Sequence, residues 1–507
     1  DPLHLLPPEV VLRILDFAAP ATLAALTRLN RSWHSLIDHD HQNAIYPAKT
    51  YHPPGAKDFA FLHEAPSFAK YYSGVQTWKE LCKRQTLLAR NWSSRRPTTR
   101  ESIIQVDNDP VWRFKPDFKR RIILSTSHAG GLRVIDMDTG ALLYRMLRNV
   151  VRPFAHLEYE DGTAVFDRQG NAVEVWRIDD SAASRGVLKH IALLPHERTI
   201  RGFQFSYGTL CVVSCDGQGF VYENMLDGAP RLMTQIAIEE GATGHSHQCV
   251  DAVAWSQGTN GYHFYDKTSG QCLGVLHPAF CAFGGHTNRF SHMHCSEERP
   301  DSLLGERSFA GVGNVSPPLD PRDNRTSEIS INAGPMPVVD RESIALADDE
   351  WGAGMFDGDL FAGVSRGGRV FICSNWRKAL EDSASFAAHT FIIESDSDGS
   401  SFDLGGWLSV RDRRVMFEIH DRIHVISLDD ENRVVASDHK PSRPSITFAS
   451  SSSSQVALPV SCMSLYDDCI MTTYTALRHR DRPIFQLAQN QQGVISTKVI
   501  RVLSFAP

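Results

Sequence analysis

Apolar residues open the chain at helical spacing. Val10, Val11, Ile14 and Leu15 fall at i, i+1, i+4 and i+5, the stripe of one helix. Pro7-Pro8 suits its entrance, where a missing N–H costs nothing, and Glu9 suits its first turn. Ala18-Ala19-Pro20 ends it. A second helix is predicted over 21–29, with Leu23, Leu26 and Leu29 recurring, and a third over 31–38, with Trp33, Leu36 and Ile37 on one side. Three short helices in about forty residues enclose little core, so this segment has to lean on a partner or on the next domain of the chain. A further helical stretch is predicted over 67–92. Its apolar positions are Trp78, Leu81, Cys82, Leu87 and Leu88, and its wet face is Lys79, Glu80, Lys83 and Arg84.

From about Ile103 the helical period disappears. Short strand-like runs recur between Gly, Asp and Asn turns. Six strand–turn–strand pairs stand out: 121–124 with 132–135, 163–166 with 173–176, 210–213 with 220–222, 252–255 with 262–265, 360–364 with 369–372, and 414–417 with 423–426. Taking Val134, Val175, Val221, Phe264, Phe371 and Val425 as equivalent points gives gaps of 41, 46, 43, 107 and 54 residues. Three match the roughly 40–50 residues of a four-stranded propeller blade. The long gap holds the Pro-, Gly-, Asp-, Asn- and Ser-rich run 299–337 and reads as an insertion, a hidden extra blade being the competing account. Strand-like runs at 464–466, 469–471 and 499–503 add one more repeat, for seven.

Composition narrows the classes. The chain has 507 residues, 42% hydrophobic and 22% charged, with net charge −7. That is a globular balance of about three domains' length. Mild acidity argues against a scaffold held on nucleic acid by phosphate charge. No apolar run approaches the roughly 18 residues of a bilayer span, and no charged-then-apolar leader opens the segment. The 10 cysteines are scattered, so no disulfide framework is indicated and a reducing compartment, cytoplasmic and/or nuclear, is expected.

The opening residues resemble an F-box: Leu6-Pro7-Pro8-Glu9-Val10, the pair Ile14-Leu15, the spaced Leu23, Leu26 and Leu29, then Asn30-Arg31-Ser32-Trp33. Ala18 departs from the pattern, where a leucine is usual. The resemblance implies docking on the Skp-type adaptor of a cullin-RING ubiquitin ligase. Leu6, Pro7, Ile14, Leu15, Leu23, Leu26, Leu29 and Trp33 are the adaptor-contact candidates, since these apolar groups exceed what three short helices cover. Which of them face inward is left open by the sequence. Trp78-Lys79-Glu80-Leu81-Cys82 with Asn91-Trp92 is similar to the helical linker of F-box propeller proteins. The repeats resemble degenerate WD repeats: Ile135-Asp136-Met137-Asp138-Thr139-Gly140 and Tyr265-Asp266-Lys267-Thr268-Ser269-Gly270 look like a third strand's end and its turn, Gly244-His245 precedes one repeat, and Val175-Trp176 lacks the following Asp.

Candidate chemistry is sparse. His245, His247, Cys249, Cys272, Cys281, His286, His292, His294 and Cys295 are metal-ligand residue types without a zinc spacing, so no metal is expected. Gly352-Ala353-Gly354 and Gly367-Gly368 lack the strand-then-helix context of a phosphate cradle and read as turns. The cluster Arg90, Arg95, Arg96, Arg100 reads as a solvated linker face rather than a nucleic-acid patch. The Ser-rich runs 395–401 and 450–454 read as polar loops, and Asn314 and Asn324 open glycosylation-type triplets that count for little without a secretory signal. Under the propeller resemblance, the turns between second and third strands lie on the rim used for partners. His128, Arg168, Gln218, Gln257, Arg366 and His420 fall there, and His128, Arg168, Arg366 and His420 are the substrate-contact candidates.

The expected architecture is mainly β. An α-helical F-box over 1–40 and a helical linker over 41–100 precede a WD-repeat-like β-propeller of about seven blades over 101–507, with a long insertion near 283–345. The expected role is the substrate receptor of a ubiquitin ligase, without cofactor or catalysis, binding an adaptor and a protein substrate, phosphorylated or not, and no nucleic acid or membrane. A scaffold that delivers no substrate, and a metal-dependent propeller enzyme, are the competing roles.

Overall fold

The computed structural model describes residues 5–94, 96–106, 109–168, 171–181, 183, 185–238, 245–281, 284–290, 326–333, 345–395, 407–419, 422–435, 444–449, 460–479 and 494–507. The chain divides into two compact units. One is helical and comprises Asp1–Thr99, Asp467–Cys469 and Ser504–Pro507; the other is β and comprises Arg100–Tyr466 and Ile470–Leu503.

In the helical unit, α1 (Pro8–Leu15) starts on Pro7-Pro8 as its sequence requires, with Glu9 in the first turn and Arg13 in the last. α2 is Pro20–Leu26 and α3 is Arg31–His34. α3 is capped by the Asn30 side chain, which accepts the Trp33 N–H at 2.9 Å. It continues as one wide π-helical stretch, Ser35–Asp40. After α4 (Gln42–Ile45), the long linker helix α5 covers Trp78–Trp92. The helix predicted from residue 67 therefore begins eleven residues late. Thr77 stops it, its hydroxyl accepting the Glu80 N–H at 3.2 Å, and Lys70 and Gly74 upstream hold positive φ that no helix permits.

Residues 66–69 of the helical unit are organised by a carboxylate from far along the chain. Asp468, fully buried, accepts the Ser67 hydroxyl at 2.7 Å and the Phe68 and Ala69 N–H groups at 2.9 Å each. Trp92 stacks on Phe505 with centroids 3.5 Å apart, and its indole N–H donates to the Asp467 carbonyl at 3.0 Å. Asn91 donates to the Phe505 and Thr98 carbonyls, both at 2.7 Å. Asp468→Ala would leave three buried or half-buried donors without their acceptor, at about 1–3 kcal/mol for each that stays unsatisfied. We expect it to lower the urea midpoint of the helical unit by at least about 2 kcal/mol equivalent, with Asp468→Asn losing less. Equal midpoints for wild type and Asp468→Ala would refute this anchoring role.

Among the described residues the β unit forms five four-stranded antiparallel sheets and one ten-stranded sheet, which contains two further four-stranded meanders and so gives seven repeats. Six are meanders in chain order, spanning 111–146, 157–195, 200–237, 246–276, 351–394 and 408–449. The seventh joins Arg100–Ile104, the first strand of the unit, to Val494–Ser504, Cys469–His479 and Met463–Leu465. All six predicted strand pairs are second and third strands, in antiparallel register as expected, for example Leu124 opposite Val134 and Val165 opposite Val175. The radial burial explains why these strands were the readable ones. Second strands are buried on both faces, as in Ile122–Ser127 and Leu360–Ser365, so they appear as continuous apolar runs. Fourth strands such as Leu142–Met146 are largely exposed.

First strands of successive sheets pack side by side in order round the unit. The circle closes where Arg113 of the first meander donates to the Ser461 carbonyl at 3.1 Å and Leu465 N–H donates to Ser409 Oγ at 3.0 Å. The arrangement is consistent with a propeller-like fold. Packing the first strands against one another covers the inner sheet edges, which limits edge-to-edge pairing. The turn motifs behave alike: Asp136 Oδ1 accepts the Thr139 N–H at 2.7 Å, Asp266 Oδ1 accepts the Ser269 N–H at 2.7 Å, and Gly140 and Gly270 follow with φ of 71° and 72°.

The long gap takes a definite form, and one expectation changes. Among the described residues, the long gap contributes a hairpin, Gly284–Phe290 with Thr326–Ala333, and no four-stranded sheet. Its first strand runs parallel to Thr390–Glu394 and its second pairs antiparallel with Ser445–Ala449, fusing the fifth and sixth meanders into one ten-stranded sheet. Gly352-Ala353-Gly354 is not a turn but part of strand Trp351–Asp357. Gly354 lets the Tyr262 ring approach: a Cβ there would sit 2.7 Å from Tyr262 Cε1. Tyr262 fills that space within a core of Phe264, Trp351, Phe356, Phe361, Phe371 and Trp376.

Candidate functional site

α1 carries apolar residues on two faces, and the structure separates them. Val11 and Leu15, at i and i+4, are buried, Leu15 to 1% exposure. Leu23 of α2 and Ile37 are buried with no exposed surface. Val10, Ile14 and Phe17, at i, i+4 and i+7, form a second stripe that stays in solvent, Ile14 at 55% and Phe17 at 79% exposure. Leu6 precedes Val10 by one helical repeat and is exposed, as are Leu5, Pro7 and Leu29. Leu26 and Trp33 are half-buried. The eight adaptor-contact candidates thus fall into three groups. Leu6, Pro7, Ile14 and Leu29 are available to another protein, Leu26 and Trp33 are partly available, and Leu15 and Leu23 belong to the segment's own core. Val10 and Phe17, which were not among the candidates, share this exposed face; their i, i+4, i+7 relation with Ile14 was the signal.

Polar contacts flank the face and tie its helices to the rest of the unit. Arg13 lies over the Phe17 ring at 5.4 Å and pairs with Asp16 at 3.3 Å. Lys49 donates to the Asp16 carbonyl at the end of α1. Asp38, buried, accepts the Tyr46 hydroxyl at 2.9 Å and Lys79 of α5 at 2.6 Å, tying the opening helices to the linker helix. Burial, and then the hydrogen bond to Asp38, push the Tyr46 phenol pKa well up, so it stays a donor. Along α5, Trp78, Leu81, Cys82, Leu88 and Trp92 are buried, Leu87 is exposed, and Arg84 pairs with Glu80 at 2.8 Å.

In the β unit His128, Arg168 and Arg366 occupy second-to-third-strand turns or their edges. Arg168 is held by Glu174 at 2.9 Å, and Arg366 by Glu350 at 3.2 Å, so each guanidinium is already engaged within its own sheet. His128 is half-buried between Trp112 and Phe154, centroids 5.5 and 4.9 Å away, and burial lowers its pKa, with Lys498 adding to the effect. Gln218 is half-buried and Gln257 is buried. His420 lies outside the described residues, as do His292, His294, Cys295, Asn314, Asn324, Arg95, Gly244 and the Ser-rich runs 396–401 and 450–454. Among the described residues no three His, Cys, Asp or Glu side chains come together as a metal ion would require. No described helix is long and apolar enough to cross a membrane.

Comparison with known proteins fits this division. Residues 3–42 match the F-box-like family. No curated protein matches the chain. Among solved structures, the crystal structure of the computationally designed Ika8 protein is similar over 73% of this chain and 95% of that one, at 12% identity and a TM-score of 0.38. So weak a likeness says nothing of this chain's function. The chain thus has an F-box-like domain at its N-terminus followed by a mostly β domain of four-stranded sheets.

Proposed function

We propose that this chain is the substrate-recognition subunit of a Skp-cullin-F-box ubiquitin ligase, acting in the cytoplasm or nucleus. The F-box-like domain binds the Skp-type adaptor, α5 is the spacer within the helical unit, and the WD-repeat-like β unit holds a protein substrate for ubiquitination and degradation. The observation that carries the reading is the solvent-facing stripe Leu6, Val10, Ile14 and Phe17 on the segment that matches the F-box-like family. An apolar helical stripe beyond what the unit's own core absorbs is a surface for another protein's helices. Burying each such side chain fully contributes about 1.5–3 kcal/mol. The chain itself makes and breaks no covalent bond in this role. It raises the effective concentration of a substrate lysine near a charged ubiquitin carrier.

The test is co-purification with a Skp-type adaptor, comparing the full chain with one lacking residues 1–40. A stoichiometric complex is expected for the full chain alone. Equal recovery of adaptor by both would overturn the assignment, and adaptor binding without ubiquitination of any protein held by the β unit would make the chain a scaffold.

A further inference from the structure

One cavity in the β unit is lined by three arginines. It has a volume of about 300 Å³ and is bounded by Gly130, Gly131, Arg133, Arg145, Met146, Leu147, Arg148 and Asn149. Arg133 and Arg145 sit directly opposite each other on the third and fourth strands of the first meander. Like charges in that position destabilise a sheet pair. Asp109 offsets part of this, 2.5 Å from Arg133 and 3.6 Å from Arg148. Arg145 has no hydrogen-bond or ion-pair partner among the described residues. Arg148 is 60% exposed. Gly130 and Gly131 hold φ of 86° and 90°, and a Cβ on Gly131 would lie 3.0 Å from the Met146 carbonyl.

From this geometry we propose that the cavity binds an acidic segment of a partner protein, a carboxylate side chain seated on Arg145 and Arg148 with an apolar neighbour against Leu147. The site shows what its guanidiniums accept, because Asp109 already places one carboxylate on Arg133. The planar fork of Arg145 matches a second carboxylate in the same way. Leu147, 63% exposed, supplies the apolar contact. The cavity opens beside the turn holding His128, on the second-to-third-strand end of the meander. The proposal rests on the reading of the β unit as the part that holds a delivered protein, and names the chemistry of that protein's docking segment.

The test uses the full chain and three fluorescein-labelled peptides followed by anisotropy: Glu-Glu-Leu-Glu-Glu, its Gln counterpart, and a counterpart with phosphoserine at the second position. The Glu peptide is expected to bind in a salt-sensitive way, at least ten-fold tighter than the Gln peptide, and Arg145→Gln or Arg148→Gln to lose at least ten-fold. Because Arg145→Gln removes a like-charge pair, its melting temperature should match or exceed wild type, separating lost binding from lost folding. Equal binding of the Glu and Gln peptides, or unchanged binding by both variants, would overturn the proposal. Phosphopeptide binding more than ten-fold tighter through the same arginines would replace the carboxylate by a phosphate and overturn it equally. Adaptor co-purification should be untouched by either variant, so failure here and failure of the ligase reading are read separately.

Discussion

Ile14→Asp is expected to weaken adaptor binding at least about 100-fold, about 2.7 kcal/mol, while the free protein keeps its fold. The side chain is more than half exposed, so aspartate there is solvated in the unbound chain and costs stability within about 0.5 kcal/mol. In the complex the same position would bury a carboxylate with no counter-charge and forfeit the apolar contact. Leu15→Asp, one residue on, should behave in the opposite order. Leu15 is 1% exposed, so its carboxylate would enter the helical unit's own core and unfold it before binding could be measured. The pair of variants, assayed by isothermal titration with adaptor and by thermal melting alone, therefore reads the two faces of α1 separately. Wild-type adaptor affinity in folded Ile14→Asp would remove this face from the interface.

The second large effect concerns closure of the β unit. Arg501, on Val494–Ser504, and Glu101, on the neighbouring Arg100–Ile104, are both 1% exposed, with Arg501 Nε 2.9 Å from Glu101 Oε1. The angle at that contact is too bent for a hydrogen bond, so the attraction there is ionic, and each side chain carries further interactions. Arg501 also lies over the Tyr474 ring at 4.8 Å. The two strands come from opposite ends of the β unit, so this ion pair sits where the chain's first strand completes the last sheet. Arg501→Met alone removes the cation beside a buried carboxylate and is expected to cost about 3–5 kcal/mol. Glu101→Leu alone removes the anion beside the buried guanidinium and should cost a similar amount. The double variant should recover most of the loss, because a pair of apolar side chains has no charge to desolvate. Urea unfolding of the four proteins makes a double-mutant cycle. Strictly additive losses would mean that the two charges do not act on each other.

The readable parts of the sequence are those where burial is local. Second and third strands of each meander are covered on both faces by their own and adjacent sheets, so runs such as Ile122–Leu124 and Phe361–Val364 carry their identity in consecutive residues. All six equivalent points, Val134 to Val425, landed on third strands. First strands were less legible. They carry polar or small residues, as in Ser246–Gln248 and Trp351–Asp357, and the glycines there serve an aromatic ring from a distant strand, Tyr262, rather than a turn. The late start of α5 follows the same logic: residues 66–69 are held by Asp468, about four hundred positions downstream, and no local pattern announces that.

The sites divide the same way. The apolar excess at the start of the chain is visible in the residues themselves, but its division into core and surface is not. Helix α1 carries Val10, Val11, Ile14 and Leu15 on adjoining arcs, and periodicity treats them alike. Only the packing of Val11 and Leu15 into the helical unit leaves Val10, Ile14 and Phe17 in solvent. Arg168 and Arg366 looked available as isolated basic turn residues, yet Glu174 and Glu350 meet them in the fold. The place of Arg145 opposite Arg133 exists only once the two strands pair.

What the sequence determined by itself was the opening helical segment with its surplus of apolar groups and the recurring strand–turn–strand pairs of the β unit, because side-chain spacing along one element is set by residues a few positions apart. What the tertiary structure decided was which apolar face stays uncovered, where Glu101 finds Arg501, and which residues from the end of the chain complete the helical unit. Those outcomes depend on contacts between segments hundreds of residues apart, and such contacts form only when the elements pack.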